Sequence, residues 1–179
     1  MVKTLVIYSS KYGSTKKYAE WIAEELDGEL SDLNKINQND LNNYSTIILG
    51  ISLYPGRVKN LSLLEKSYEI LKDKNLIIYT CGIADVNDIK NVNNIKKRIK
   101  KIIPENIFEK IKIFYLRGSL DYKKMGFKHR IMMWVRKNEV IRKGLDKKDN
   151  DAKLLVETYG KAMDFINKES INGIIEYCK

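Results

Sequence analysis

The chain has 179 residues and a mass of 20.9 kDa, the size of one domain, and can bury roughly 70% of its unfolded surface. Hydrophobic residues make up 44% of it, with only ten glycines and two prolines, which excludes disordered, collagen-like and linker-dominated chains. The formal charge of +10 concerns partners and association, not fold.

Thr4 to Tyr8 is a β-branched and aromatic run, so a first strand is expected there, followed by a loop over Ser9 to Thr15. Ala19, Ile22, Ala23 and Leu26 then recur on one helical face, and Gly28 ends that helix. A short second strand is expected over residues 29–33, and a third, apolar on both faces, from Tyr44 to Ile51. Leu61, Leu64, Tyr68 and Leu71 mark a second helix, Leu76 to Thr80 a fourth strand, and Val92, Ile95, Ile99 and Ile102 a third helix that Pro104 stops. Ile111 to Leu116 supplies a fifth strand. Ala152, Leu155, Val156, Tyr159, Met163 and Ile166 predict a closing helix, and residues 169–179 a mobile tail that carries Cys178. Strands alternating with helices predict right-handed βαβ crossovers and an α/β doubly wound parallel sheet, for which 2-1-3-4-5 is a common order.

Ligands of such sheets bind beyond the carboxyl ends of the strands at the switch point, here between strands 1 and 3. The loop after strand 1 offers hydroxyls at Ser9, Ser10, Ser14 and Thr15, with Gly13 immediately before a helix and Lys11, Lys16 and Lys17 adding positive potential. Backbone amides and the helix dipole there can hold a phosphate; a plain strand-to-helix turn with capping serines is an equal alternative. The loop is neither Walker A nor the GxGxxG fingerprint. After strand 3, Pro55 and Gly56 fit the central positions of a type II turn beside Tyr54, which suits either a stacked ring system or an ordinary surface turn.

Cys81 and Cys178, with a single histidine, exclude a disulfide framework and a Cys/His metal cluster; no metal is expected. Cys81 reads as a small buried hydrophobe. The longest apolar runs, such as Ile47 to Ile51, are far shorter than the roughly 18 residues of a membrane span, and Lys3 interrupts any signal-peptide core. The expected location is cytoplasmic, with peripheral contact at the inner face of a membrane. Between Lys123 and Lys143 stand eight Lys or Arg against the single acid Glu139, a local excess of +7. Phe127, Ile131, Trp134 and Val135 share one face of the helix expected there, widened by Met132 and Met133, with Lys128, Arg136 and Lys137 outside the stripe. Such a helix can lie on an anionic bilayer or cradle a substrate with carboxylates; a peripheral helix with solvated lysines is nearly as good a reading. Lipid, a twin subunit in a homodimer and the protein's own sheet are the candidates for what meets the apolar face. Nucleic acid is not expected, because the aromatics sit within the helical stripe and not on a stacking platform.

Together, the loops resemble the flavodoxin family over about residues 1–168. Tyr8 to Thr15 looks like that family's FMN phosphate loop, with Ser10, Gly13, Ser14 and Thr15 on matching positions and Lys11 and Tyr12 departing from the usual threonine-rich stretch. Leu53 to Arg57 falls where the family places one flavin-flanking loop and Thr80 to Ala84 where it places the other, which lacks the stacking aromatic. The resemblance therefore implies FMN held by Ser10, Lys11, Tyr12, Gly13, Ser14, Thr15, Leu53, Tyr54, Pro55, Gly56, Thr80, Cys81 and Gly82. Within the family the chain is similar to the flavodoxin-like, menaquinone-dependent protoporphyrinogen IX dehydrogenases. The matching segments are Ser9 to Thr15, Gly50 to Tyr54 and Leu116 to Tyr122 leading into His129 to Trp134, in a basic insertion over about residues 118–148. That likeness implies a tetrapyrrole substrate or a redox partner protein, a quinone acceptor, and roles at substrate or membrane for Arg57, Arg117, Lys128, His129, Arg130 and Trp134. A flavodoxin-type one-electron carrier docking an acidic reductase is the alternative. A response regulator, which shares the strand order, needs acids where Ser9 and Ser10 stand.

Overall fold

The structure, a computed structural model, describes residues 3–53, 64, 66–101, 103–145 and 150–179. Five parallel strands, β1 (Thr4–Ser9), β2 (Glu29–Asp32), β3 (Thr46–Ser52), β4 (Asn75–Gly82) and β5 (Lys112–Arg117), form one sheet in the order β2-β1-β3-β4-β5. The fold is therefore the flavodoxin-like α/β sandwich, and its switch point lies between β1 and β3.

The register explains the burial. Val6 stands opposite Ile48 and Ile48 opposite Ile77, so one row of branched side chains crosses three strands. Side chains of successive strand residues point to opposite faces. On one face Val6, Ile48, Ile77 and Tyr79 pack against Tyr18, Ala19 and Ile22 of helix α1 (Ser14–Glu25). On the other, Leu5, Ile7, Leu49 and Ile78 pack against Ile95 and Ile99 of helix α3 (Ile89–Lys100), with Leu71 of the short helix α2 (Tyr68–Leu71) and Ile107 of α4 (Glu105–Phe108) beside them. Each such buried side chain contributes about 1.5–3 kcal/mol through removal of apolar surface from water.

Two expectations at the C-terminal end are corrected. The helix expected through Ile166 stops early: helix α6 (Asn150–Thr158) gives way at Gly160, whose φ of 82° a helix cannot contain. Met163 then lies in strand β7 (Ala162–Asp164), antiparallel to β6 (Ser119–Asp121), and Ile166 packs against the α1 face of the sheet. The segment expected as a tail is part of the core. A 3-10 turn (Lys168–Ile171) and helix α7 (Asn172–Cys178) bury Ile171, Ile174 and Ile175 beside α1, and Lys168 pairs with Glu25 at 2.8 Å. The triple Ile171, Ile174, Ile175 has helical spacing, so the signal was present but short.

The insertion after β5 runs through β6, helix α5 (Phe127–Arg142), α6 and β7. Its interior is a small separate cluster of Leu120, Tyr122, Met125 and Met133. The apolar stripe of α5 faces outward, with Phe127 72% and Trp134 56% exposed, while Met133, expected to widen that stripe, turns inward with Val140. No helix of the described residues is long and apolar enough to cross a membrane.

Candidate functional site

The carboxyl ends of β1, β3, β4 and β5 converge on a small cleft of about 40 Å³, walled by Ser10, Tyr12, Ser14, Thr15, Cys81 and Gly118 among others. Gly13 sets its geometry. A φ of 95° turns the chain sharply into α1, a conformation that side chains with a Cβ avoid. Gly13 donates its N–H to Ser10 Oγ at 3.1 Å, and no side chain caps α1. The first-turn amides of a helix have no intrahelical acceptor, and the dipole places about half a positive charge there. The first turn carries no acid. This donor set suits an anion of the phosphate class, while Lys16 pairs with Glu20 at 3.4 Å and Lys17 lies over the Trp21 ring.

The loop is held from below by a tyrosine that the sequence reading missed. Tyr79 of β4 is fully buried and donates its hydroxyl to the Thr15 carbonyl at 2.8 Å. Its ring passes directly over Gly50 of β3, where an added Cβ would meet the ring at 2.2 Å. A glycine inside an otherwise branched strand marks close approach, and that was the available signal. Burial pushes the Tyr79 phenol well above its ordinary value, so it stays a donor. Tyr18 plays a parallel part, donating to the Arg117 carbonyl at 2.7 Å and accepting from the Asn167 amide at 3.1 Å.

The expected hydroxyl ligands are engaged within the protein. Ser14 Oγ lies 2.9 Å from Ser119 Oγ and accepts from the Ser119 amide at 3.0 Å, which ties α1 to the insertion. Thr15 reaches the Cys81 thiol, which burial pushes up to about 12, so Cys81 is no thiolate at neutral pH. Thr80 does not line the cleft; it is buried, and its hydroxyl donates to the Phe114 carbonyl at 3.4 Å. Leu53 and Gly82 border the cleft, Leu53 donating its amide to the Cys81 carbonyl at 2.9 Å. Tyr54, Pro55, Gly56 and Arg57 lie outside the described residues.

Among the described residues assigned to substrate or membrane, His129 alone meets the loop. Lys11 Nζ lies 3.2 Å from His129 Nε2 and Tyr12 Oη 2.5 Å from Nδ1. An ammonium only donates, so Nε2 accepts, and Nδ1–H donates to Tyr12. Burial and then Lys11 hold His129 below its ordinary value of 6.5, favouring this neutral ring. Arg117 instead lays its guanidinium 3.6 Å over the Phe165 ring and donates to the Ile83 carbonyl at 3.2 Å. Lys128, Arg130 and Trp134 are exposed on α5. Among the described residues no group of three His, Cys, Asp or Glu could hold a metal ion.

A family model described as a flavodoxin domain matches residues 5–149, from β1 to the end of the insertion's basic helix and beyond. No curated protein matches the chain. Similar solved structures include oxidised flavodoxin 2 from Bacillus cereus, 20% identical over 65% of this chain and 86% of that one, with a TM-score of 0.40. A putative flavoprotein from Bacteroides eggerthii is 15% identical over 75% and 98%, with a TM-score of 0.45. The Trp repressor binding protein from Bacillus subtilis is 18% identical over 65% and 83%, with a TM-score of 0.44. With the family model spanning most of the sequence, from the first strand through the anion loop to the insertion, the chain belongs to the flavodoxin domain family.

Proposed function

We propose that the chain is an FMN-binding oxidoreductase that takes electrons from a tetrapyrrole and passes them to a quinone, in the manner of the menaquinone-dependent protoporphyrinogen IX dehydrogenases. The observation that carries the cofactor is the uncapped, acid-free start of α1 at the switch point of a flavodoxin-family sheet. The amides from Ser14 to Lys16 would hold the FMN phosphate, and Lys11 would release His129 to add charge. Leu53, Cys81 and Gly82 would border the ring. FMN supplies the electron chemistry; the protein supplies position and electrostatics.

The outward face of α5 supports a membrane-side acceptor. Phe127, Ile131, Trp134 and Val135 are exposed on one stripe, and Lys128 and Arg130 lie at its flanks. An apolar stripe with basic flanks complements an anionic bilayer, each basic residue gaining about 1 kcal/mol near the headgroups. Vesicles rich in phosphatidylserine should sediment the protein, and Trp134→Ser should weaken this; equal binding to neutral vesicles would count against it.

Anaerobic turnover of protoporphyrinogen with menaquinone by the FMN-loaded protein tests the reading directly. A fully loaded protein that is inert under those conditions contradicts it. The same basic surface favours a second reading, a one-electron carrier that docks an acidic reductase, because positive potential steers such encounters. A reductive titration separates the two: one two-electron step supports the enzyme, and two resolved one-electron steps the carrier.

A further inference from the structure

The insertion reaches back to the anion loop at two points, Ser119 on Ser14 and His129 on Lys11 and Tyr12. The second is a closed group of three side chains. The Lys11 ammonium stands 5.9 Å from the Tyr12 ring centroid, the Tyr12 ring meets the imidazole edge-on with centroids 6.0 Å apart, and both ring nitrogens of His129 are engaged by the loop. Lys11 differs from the lysines that follow it. Lys16 has the Glu20 carboxylate and Lys17 the Trp21 ring, both within α1, whereas Lys11 rests on a neutral base 118 residues away in the chain.

An oxyanion is a better acceptor for an ammonium than a neutral imidazole is, because hydrogen bonds between charged partners are roughly twice as strong as neutral ones. A dianion at the amides of Ser14 to Lys16 would therefore draw Lys11 from Nε2, which opens that lone pair, and its own potential would favour the charged form of the ring. Protonated, His129 keeps its Nδ1–H bond to Tyr12 and presents a second N–H at Nε2, where Lys11 stood. Among the described residues Lys11 is the charge that acts on the ring. Lys128 and Arg130 flank it on α5, exposed to solvent, Asp121 before the helix is occupied by Lys124 at 3.9 Å, and Lys153 and Glu157 on the neighbouring α6 pair with each other at 3.8 Å.

We infer that His129 is the titratable counter-charge of the anion loop, so that a dianion of the phosphate class binds together with one proton, taken from the buffer onto Nε2. The inference rests on the reading of the α1 start as an anion site and adds what the insertion contributes to it: a positive charge that is present when the site is filled and absent when it is empty. Anion binding and protonation then favour each other by the same factor, as linkage requires. The site holds its ligand more firmly in acid.

His129 is the only histidine of the chain, so its imidazole gives a single NMR titration curve. Sulfate is the first probe, because it stays a dianion across the range in which a histidine titrates. Compared with chloride of equal ionic strength, saturating sulfate should shift the amides of Ser14 to Lys16 and raise the His129 midpoint by about one unit, and sulfate should bind about tenfold more tightly to the protonated protein. His129→Gln keeps a hydrogen-bonding side chain without the titration and should bind sulfate with one affinity from about pH 5.5 to 8. The same titration with FMN and with riboflavin, which lacks the phosphate, should move the midpoint with FMN alone. Sulfate shifts at Ser14 to Lys16 with an unmoved His129, no sulfate shifts at those amides, or a pH dependence that survives in His129→Gln would each overturn the inference. FMN that fails to bind while sulfate still moves His129 would sink the cofactor reading and leave this one standing; FMN that binds and moves the midpoint no further than riboflavin does would do the reverse.

Discussion

The sheet and the insertion solve the same problem on different scales. The sheet buries rows of branched side chains on both faces, closed on one side by α1 and α7 and on the other by α3. The insertion gathers only Leu120, Tyr122, Met125 and Met133 into a core of its own and leaves the outer stripe of α5 in solvent. A doubly covered sheet makes a rigid frame. A thin cluster leaning on that frame can shift, and here it leans on the anion loop through Ser119 and His129. The difference sets a doubly covered sheet beneath the anion loop and a thinner cluster above it.

The largest effect should come from the C-terminal helix. Ile174→Ala removes a fully buried side chain and should cost about 3 kcal/mol in urea unfolding. A change within 0.5 kcal/mol, the ordinary range of about zero for surface sites, would return α7 to the status of a tail. Gly50→Ala follows, since its Cβ would stand 2.2 Å from the Tyr79 ring; the overpacking should cost about 2–3 kcal/mol. A stable Gly50→Ala protein would show that the Tyr79 ring can move aside. Tyr79→Phe is milder, about 1–2 kcal/mol, because it leaves the Thr15 carbonyl without its donor, and it should also weaken binding of anions at the loop.

The smallest effect separates the cover from the frame by pH. His129 is held below 6.5 in the folded protein, so its contacts with Lys11 and Tyr12 add stability above that value and lose it as pH falls through the lowered one. A protonated ring would face the Lys11 ammonium with two donors and no acceptor. Amide protection factors, corrected for the intrinsic slowing of exchange in acid, should therefore fall at the start of α5 on acidification while those of β1, β3 and β4 hold, and His129→Gln should flatten the response. Uniform loosening of sheet and insertion would contradict the division between them.

The frame was legible because a parallel sheet writes itself as uninterrupted apolar runs: Thr46 to Ser52 and Asn75 to Gly82 lie within a residue or two of the runs that predicted them. The turn into α1 was legible from Ser10, Gly13 and the helix that follows. Its support was not, because Tyr79 belongs to a strand run where a tyrosine reads as one more core residue, and only the glycine at 50 hints that a ring crosses it. Ser119 carried no local signal, since its role arises from a contact with Ser14, 105 residues away. The end of α6 was misread because Met163 and Ile166 continue the helical spacing across Gly160, and a strand partner at Leu120 outweighs periodicity.

The central claim is that the uncapped amides of α1 make a phosphate site. Calorimetric titration of the protein with FMN and with riboflavin, which differ only in that phosphate, tests it most directly. The account predicts that FMN binds at least about a hundredfold more tightly, a difference of about 2.7 kcal/mol, and that added salt narrows the gap. Equal affinity for the two flavins would contradict it.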